Sequence, residues 1–287
     1  MYCICCQSRV IVPSPSFSKR FHLCKNCGLI FKSEVIISAL ADNIVAHYHD
    51  IDPHEAVGFS KKFFFEYVLN YLGSKIRIEA RKILDVGCGY GYFLKMAVKR
   101  GWEPTGVELV EDAVKSLQKE IGCNNIFQGK LKTACLSENS FDAITLWDVI
   151  AIVDNPYDEL QECYRLLKKG GIIGIRTRNV LFQISVFRLF RYIRKIALRF
   201  GLKKPYVFNK YCFSSRSLYA LLYRLGFINI KITNSPLTSG DPYNQMSLSY
   251  HVKLLKTCIN ILSEIVFWMT RGRWLIGPSL LVWAEKP

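Results

Sequence analysis

The chain is poor in acidic residues and has no long uninterrupted hydrophobic run. It carries 23 Asp and Glu against 39 Lys and Arg, and this net charge of +16 favours nucleic acid, an anionic membrane or a phosphorylated substrate as partner. The most apolar late stretch, Leu254 to Trp268, is interrupted by Lys256, Asn260, Ser263 and Glu264, which excludes a membrane-spanning helix there. Half of the 287 residues are hydrophobic, which excludes disorder and allows one large core with appendages or two small domains.

A secretory signal is also missing, because "MYCICC" has no basic segment followed by an apolar one. We therefore expect a cytoplasmic chain whose 11 cysteines are reduced thiols or metal ligands rather than disulfides. Four of them form the pairs Cys3-x-x-Cys6 and Cys24-x-x-Cys27. Two such knuckles can bind Zn²⁺ through four thiolates in a closed structural site.

The predicted zinc ribbon covers residues 1–34. A segment this short cannot build its own hydrophobic core, so metal binding would supply its folding energy. Cys5 is then a spare thiol or an alternate ligand. The alternative is an irregular head that carries reduced cysteines.

Three alternating glycines interrupt the most ordered part of the sequence. "KILDV" predicts a buried strand that runs into Gly87, Gly89 and Gly91, and "YFLKMAVKRG" has helical spacing. A strand, a glycine turn and a helix form the first unit of a doubly wound α/β fold. Glycine lets the backbone approach a ligand closely, and the helix amino terminus presents free N–H groups to it. The sequence therefore predicts a cofactor site at this turn.

The spacing excludes two common cofactor motifs. A dinucleotide turn needs a small residue where this chain has Tyr92, and no Gly-Lys-Ser/Thr follows for a phosphate loop. The pattern that remains is D-x-G-x-G-x-G, with Asp85 at the strand tip. The next strand, "PTGVEL", ends near Glu108, an acid that can accept both hydroxyls of a ribose.

Together with these motifs, "SFDAITLWDVI" and "LQECYRLLKKGGIIGIRTRN" make the chain similar to the class I S-adenosylmethionine-dependent methyltransferases. The cysteine head, "NSPLTSGDPY" and "GPSLLVWAEKP" further resemble the zinc-ribbon-headed group of glycan and secondary-metabolite biosynthesis. This resemblance implies an α/β fold: a doubly wound, Rossmann-like seven-stranded sheet with an amino-terminal zinc ribbon and a helical basic insertion. The implied division is a ribbon at 1–34, a helical cap or linker at 35–74, and a methyltransferase domain at 75–287 with insertions at about 179–215 and 234–276.

The resemblance implies S-adenosylmethionine as cofactor and assigns its contacts. They are Asp85, Gly87, Gly89 and Gly91 for the methionine part, Glu108 for the ribose, Gly129 and Lys130 for the loop that reads adenine, and Trp147 and Asp148 for the floor near adenine and sulfonium. Trp147 also has a simpler interpretation as a core aromatic residue.

The chain departs from the family where many relatives carry a Glu-His pair, since Ala151 and Ile152 stand there, and Asn209 stands where relatives often have histidine. A hydroxyl nucleophile usually needs a base, whereas an acidic phenol or a stabilised carbanion needs less help. The remaining candidate groups on the substrate side are His47, Tyr48, His49, Lys210, Tyr211, Asp241 and Tyr243. A catalytically silent relative that binds the cofactor is an alternative.

Between Arg176 and Lys231 there are 13 Lys and Arg and no acidic residue. On a helical wheel the apolar residues form one face and the cations the other; the apolar set is Val186, Leu189, Phe190, Ile193, Ile196, Ala197 and Phe200, and the cationic set is Arg188, Arg191, Arg194, Lys195 and Arg199. A bilayer surface favours such a helix, and the alternative is a lid that packs its apolar face on the core.

We therefore expect methyl transfer to oxygen or carbon of a small molecule, such as a sugar, a lipid-linked glycan or an isoprenoid or polyketide intermediate. The acceptor is membrane-associated or anionic, and the chain is cytoplasmic or peripheral on the inner face of the membrane. An RNA or protein methyltransferase is the further alternative, but nucleic acid is disfavoured because no RNA-reading module accompanies the basic residues.

Overall fold

The computed structural model describes residues 2–14, 21–32, 53–77, 81–121, 125–199, 208–236, 238 and 250–287. Its elements, in chain order, are β1 (Ile11–Pro13), β2 (Phe21–Cys24), β3 (Ile30–Lys32), α1 (Pro53–Lys75), β4 (Lys82–Val86), α2 (Tyr92–Val98), β5 (Glu103–Glu108), α3 (Glu111–Ile121), β6 (Ile126–Gln128), a 3-10 turn (Leu131–Ala134), β7 (Phe141–Trp147), α4 (Pro156–Leu166), β8 (Leu167–Arg178), α5 (Val180–Arg199), β9 (Tyr211–Cys212), α6 (Ser215–Arg224), β10 (Ile228–Asn234), α7 (Tyr250–Met269) and β11 (Ser279–Glu285).

The large sheet confirms the predicted doubly wound, Rossmann-like fold. Its seven strands lie in the order β10-β11-β8-β7-β4-β5-β6. Strand β11 runs antiparallel to both β8 and β10, and it lies between them rather than at an edge. All seven residues of β7 are buried, as expected of a central parallel strand covered on both faces. The strand order reverses between β4 and β7, so the ligand crevice of this fold lies at their carboxyl ends.

Each face of the sheet has its own hydrophobic core. On one face α1, α2 and α3 contribute Phe64, Phe93 and Leu117, which are buried in one cluster with Trp147 and Trp283. The other face carries the buried side chains of α4 and α6, which form one cluster with the cysteines of the head. The helices over the first face therefore lie beside the carboxyl end of β7, where the predicted site begins.

The head is continuous with the second core. Strand β3 pairs with β9, so that β1, β2, β3 and β9 form a four-stranded antiparallel sheet. The Arg224 guanidinium donates to the Ile4 carbonyl at 2.8 Å, and the Ser214 hydroxyl donates to the Cys27 carbonyl at 3.1 Å. The head thus docks on the first turn and the end of α6. The division at 34 and 74 stays a prediction, although α5 and α7 fall within the predicted insertions and α1 ends one residue past the predicted helical cap.

In the described part of the chain, none of the helices combines the length and the apolar character that crossing a bilayer requires. This agrees with the interruptions seen in the sequence of α7.

Candidate cofactor and metal sites

The three glycines after β4 all adopt the left-handed conformation, with φ of +69° at Gly87, +53° at Gly89 and +72° at Gly91. A Cβ atom at Gly91 would lie 2.1 Å from Leu117 Cδ1, and one at Gly87 would lie 2.5 Å from Val149 Cγ2. The glycines are therefore required by φ and by neighbouring side chains. Because glycine has no side chain, a ligand can approach the backbone of this loop closely at the switch point of the sheet.

Glu108 connects this loop to the end of β5. Its Oε2 accepts from the Gly89 N–H at 2.8 Å, and its Oε1 accepts from the N–H groups of Leu109 at 2.7 Å and Val110 at 3.0 Å. The Glu108 carbonyl also accepts from Gly129 N–H at 2.8 Å, which brings the end of β6 to the same place. A carboxylate has about four lone-pair positions, so Glu108 keeps acceptor capacity for a ligand hydroxyl.

Asp85 is buried at the tip of β4, where its Oδ1 accepts from the Thr145 hydroxyl on β7 at 2.7 Å. Burial raises the pKa of Asp85 to about 7, against the opposing effects of this hydrogen bond and of the nearby Lys61 charge. A positively charged ligand group beside Asp85 would restore its ionised form.

Asp148 follows β7 and is held by two cations. Its Oδ2 accepts from Lys61 Nζ of α1 at 2.9 Å and is paired with the Arg176 guanidinium of β8. Burial opposes ionisation, but Arg176 and Lys61 hold the pKa of Asp148 well below its usual range. Its second oxygen, Oδ1, is buried and has no hydrogen-bond partner among the described residues. Asp148 therefore retains a charged, unused acceptor next to the glycine loop.

Arg176 connects this cluster to Ser235 of the "NSPLTSGDPY" stretch. Its Nε donates to the Ser235 hydroxyl at 3.0 Å, and its guanidinium lies 5.3 Å from the centre of the Phe64 ring. Sequence reasoning did not single out Arg176 or Lys61. The sequence could have indicated Arg176 as a site residue, since it is a cation at the carboxyl end of a predicted buried strand. No sequence pattern indicates Lys61, because its position depends on how α1 lies across the sheet.

Trp147 is a buried core aromatic residue in this structure. Its ring meets those of Phe64, Phe93 and Trp283 edge to face, with centroid distances of 5.1, 5.4 and 6.3 Å. Its indole Nε1 is buried without a hydrogen-bond partner in the described part of the chain. The packing favours the simpler interpretation of Trp147, and a contact with the cofactor stays a prediction.

Two of the substrate-side candidates support the loop that replaced the Glu-His pair. Lys210 Nζ and the Tyr211 hydroxyl donate to the Asp154 carbonyl at 2.8 and 2.9 Å, and the Tyr211 N–H donates to the Ala151 carbonyl at 3.0 Å. Lys130 reaches the same loop through an ion pair with Asp154 at 2.5 Å. The other candidates, His47, Tyr48, His49, Asp241 and Tyr243, lie outside the described residues.

The two cysteine pairs of the head meet in one group. The four Sγ atoms of Cys3, Cys6, Cys24 and Cys27 lie within 4.8 Å of one another, with 3.5 Å between Cys3 and Cys27 and 3.6 Å between Cys6 and Cys24. Four thiolates about 2.3 Å from a tetrahedral Zn²⁺ would be about 3.8 Å apart, so the spacing fits this ion. Cys5 is buried beside the group, and burial raises its pKa well above the ordinary value, which favours a spare neutral thiol.

The fold agrees with comparisons to known proteins. Residues 84–175 match the family model described as methyltransferase domain. This part of the chain is therefore a methyltransferase domain, as its motifs predicted. The match contains Asp85, the glycine loop, Glu108 and Asp148, and it ends one residue before Arg176.

Curated relatives of the chain include two ubiquinone biosynthesis O-methyltransferases. The protein of Xanthomonas campestris is 28% identical over 116 residues, which are 39% of this chain and 48% of the relative. That of Alkalilimnicola ehrlichii is 30% identical over 138 residues, which are 46% of this chain and 50% of the relative. The chain thus spans about half the length of these relatives.

Solved structures share the fold of the chain. A Thermotoga maritima S-adenosylmethionine-dependent methyltransferase, described as a possible histamine N-methyltransferase, superposes with a TM-score of 0.50 at 19% identity, over 85% of this chain and 99% of that one. Phosphoethanolamine N-methyltransferase 2 of Haemonchus contortus gives a TM-score of 0.50 at 16% identity, over 80% of this chain and 57% of that one.

Proposed function

We propose that the protein transfers a methyl group from S-adenosylmethionine to an oxygen or carbon atom of a small molecule. The observation that carries this proposal is the geometry at the switch point, where the glycine loop is fixed by Glu108 and adjoins Asp148 Oδ1, which is buried and has no partner among the described residues. When bound, the cofactor supplies an activated methyl group and its own leaving group. The protein's contribution is to align the acceptor with that methyl group.

The residues present fit this cofactor. Glu108 keeps a lone pair for a ribose hydroxyl, and the unused oxygen of Asp148 and the buried carboxyl of Asp85 suit a positively charged methionine part. The bare backbone of Gly87, Gly89 and Gly91 would lie against that part, and Gly129 with Lys130 would begin the loop near adenine. Trp147 would contribute as a packed wall.

The chemical class of the acceptor can be inferred from the absence of a base in the loop after β7. Ala151 and Ile152 offer no base, and the lowered pKa of Asp148 makes its carboxylate a weak one. We therefore favour an acceptor that ionises easily, such as an acidic hydroxyl or a stabilised carbanion, on a sugar, lipid-linked glycan, isoprenoid or polyketide intermediate. The curated relatives, named as O-methyltransferases, support oxygen over carbon.

The basic helix supports a membrane-surface setting for this reaction. In α5, Leu189, Tyr192 and Ile193 are exposed, and the Arg191 guanidinium lies 5.9 Å from the Tyr192 ring centre. A lid that packed its whole apolar face on the core would bury Leu189 and Ile193, as it buries Phe190. The proposed partner is the anionic inner face of the cytoplasmic membrane.

We also propose a structural zinc ion on Cys3, Cys6, Cys24 and Cys27. The four sulfur atoms leave no position for a substrate, so the ion would fold the head and hold it on α6 and β9.

Calorimetric titration of the full, zinc-loaded chain with S-adenosylhomocysteine tests the cofactor. We expect micromolar binding that is lost in Asp85→Ala and Glu108→Ala and kept in Glu103→Ala, which changes an exposed carboxylate at the start of the same strand as Glu108. No binding by the folded wild-type chain would refute the proposal. Binding without methyl transfer to metabolite or membrane extracts would favour the silent relative that the loss of the Glu-His pair suggests.

A further inference from the structure

Helix α7 has an apolar face that points to solvent. Seven exposed side chains lie within about 120° on its helical wheel: Leu254, Cys258, Ile261, Leu262, Ile265, Trp268 and Met269. Trp268 is 81% exposed and Met269 is 70% exposed. The opposite side is anchored to the sheet, because Ser263 is fully buried and its carbonyl accepts from the Asn234 amide at 3.1 Å. We call these seven residues the α7 face.

The turn after α7 adds cations and a second exposed tryptophan. Trp274 is 65% exposed, and Arg271 and Arg273 precede it without any acidic residue between Ile265 and Ile276. The turn is ordered by a bond from the Gly272 N–H to the Phe267 carbonyl at 2.7 Å and by one from the Trp274 N–H to the Thr270 hydroxyl at 3.1 Å. The turn thus holds Trp274 and the two arginines at the surface, beside Trp268 at the end of α7.

This turn also meets the start of α5. The Asn179 amide donates to the Leu275 carbonyl at 2.8 Å and to the Gly277 carbonyl at 3.0 Å, and Leu181 in the first turn of α5 is exposed. The two insertions therefore emerge from the same end of the sheet, where β8 ends and β11 begins.

We propose that the α7 face and its turn bind an anionic bilayer surface. A contiguous exposed apolar surface of this kind marks an interaction site, and tryptophan with arginine at its end is suited to the headgroup region. The charge of the chain favours a bilayer over a second copy of the protein as the partner of this surface. A net charge of +16 repels another copy, whereas anionic lipids contribute about 1 kcal/mol to binding for each nearby Lys or Arg. This inference extends the proposed membrane setting from α5 to α7 and does not depend on methyl transfer.

The test is sedimentation of the full chain with vesicles of phosphatidylcholine alone and of phosphatidylcholine with phosphatidylserine. We expect salt-sensitive binding to the anionic vesicles, with a blue shift of tryptophan fluorescence. The double change Trp268→Ser and Trp274→Ser should weaken this binding by at least about tenfold and abolish the shift. Arg271→Gln with Arg273→Gln should weaken binding at low salt only.

The matched control is Tyr219→Ser with Tyr223→Ser, which removes two exposed rings from α6 and should leave vesicle binding unchanged. Titration of every variant with S-adenosylhomocysteine separates this inference from the proposed function, because the α7 changes lie outside the cofactor site. Wild-type binding that survives both α7 double changes would overturn the inference. So would a dimer of the wild-type chain that the Trp268→Ser and Trp274→Ser variant dissolves, or a failure of the wild-type chain to bind anionic vesicles.

Discussion

Replacing Asp148 by Asn should destabilise the folded chain by about 3 kcal/mol, because it leaves the ammonium of Lys61 and the guanidinium of Arg176 buried without their counter-charge. Breaking a buried ion pair costs about 3 to 5 kcal/mol. The Asp148 side chain is 22% exposed, against 8% for Lys61 and 9% for Arg176, so we take the lower end. At about 2 to 4 °C per kcal/mol, the melting temperature should fall by about 6 to 12 °C.

Urea unfolding of Asp148→Asn, Lys61→Met and the double variant measures the coupling directly. The double variant should recover part of the loss, because it removes one of the two uncompensated charges together with the carboxylate. Glu103→Gln is the control. It also removes a carboxylate paired with a lysine, but both Glu103 and Lys82 are more than half exposed, so the cost should stay below about 1 kcal/mol.

The pH dependence gives an independent check on the same reasoning. The pKa of Asp148 is lowered on folding, so its contribution is fully present above the unfolded pKa of about 3.9 and is lost as the pH falls below it. The stability difference between wild type and Asp148→Asn should be constant from about pH 8 to 5 and shrink below about pH 4. A difference under about 0.5 kcal/mol at pH 7, or one that does not shrink in acid, would refute the argument.

Three further changes have defined outcomes. The pKa of Asp85 is raised to about 7, so its contribution to the stability of the ligand-free chain should fall from about pH 4 to pH 7 and then level off. Asp85→Asn should reduce this slope in thermal unfolding, leaving the share of Glu159, whose pKa burial also raises to about 7, and it should still abolish S-adenosylhomocysteine binding. Gly91→Ala, whose Cβ would meet Leu117 at 2.1 Å, should cost more than about 2 kcal/mol in urea, whereas Gly101→Ala, which has φ of +78° and nothing within 4 Å, should cost about 1. Cys27→Ser should lower the melting temperature of the whole chain in calorimetry, since the head shares a sheet with β9, and a separate low-temperature transition for the head would contradict this.

Much of the fold was predictable because its signals are local. The run from Asp85 to Gly91 carries its strand, turn and helix in consecutive residues, and the amphipathic spacing of α5 is equally local. The approach of Glu108 to Gly89 was predictable in outline, since parallel strands end at one edge of the sheet. Its bond to the Gly89 N–H required the structure.

The cluster around Asp148 was not predictable because it joins distant segments. Lys61 and Asp148 are 87 positions apart, and their contact depends on where α1 crosses the sheet. Strand β9 is similarly hidden, since two residues give no periodicity and its partner, β3, lies about 180 positions away. Interactions of this kind follow from tertiary packing, which overrides weak local preferences.

Strand β9 links the head to the loop that contains Ala151, Ile152 and Asp154. This link bears on how the acceptor is aligned where the chain lacks the Glu-His pair. Tyr211 binds the Ala151 carbonyl through its N–H, and it also pairs with Phe31 of the head. Lys210 and Tyr211 further fix the Asp154 carbonyl, so the backbone of this loop is held from one side by groups that depend on the docked head. A site with no base at this position depends more strongly on alignment of the acceptor. A folded head that fixes the loop would supply that alignment, which predicts that Cys27→Ser weakens methyl transfer as well as stability.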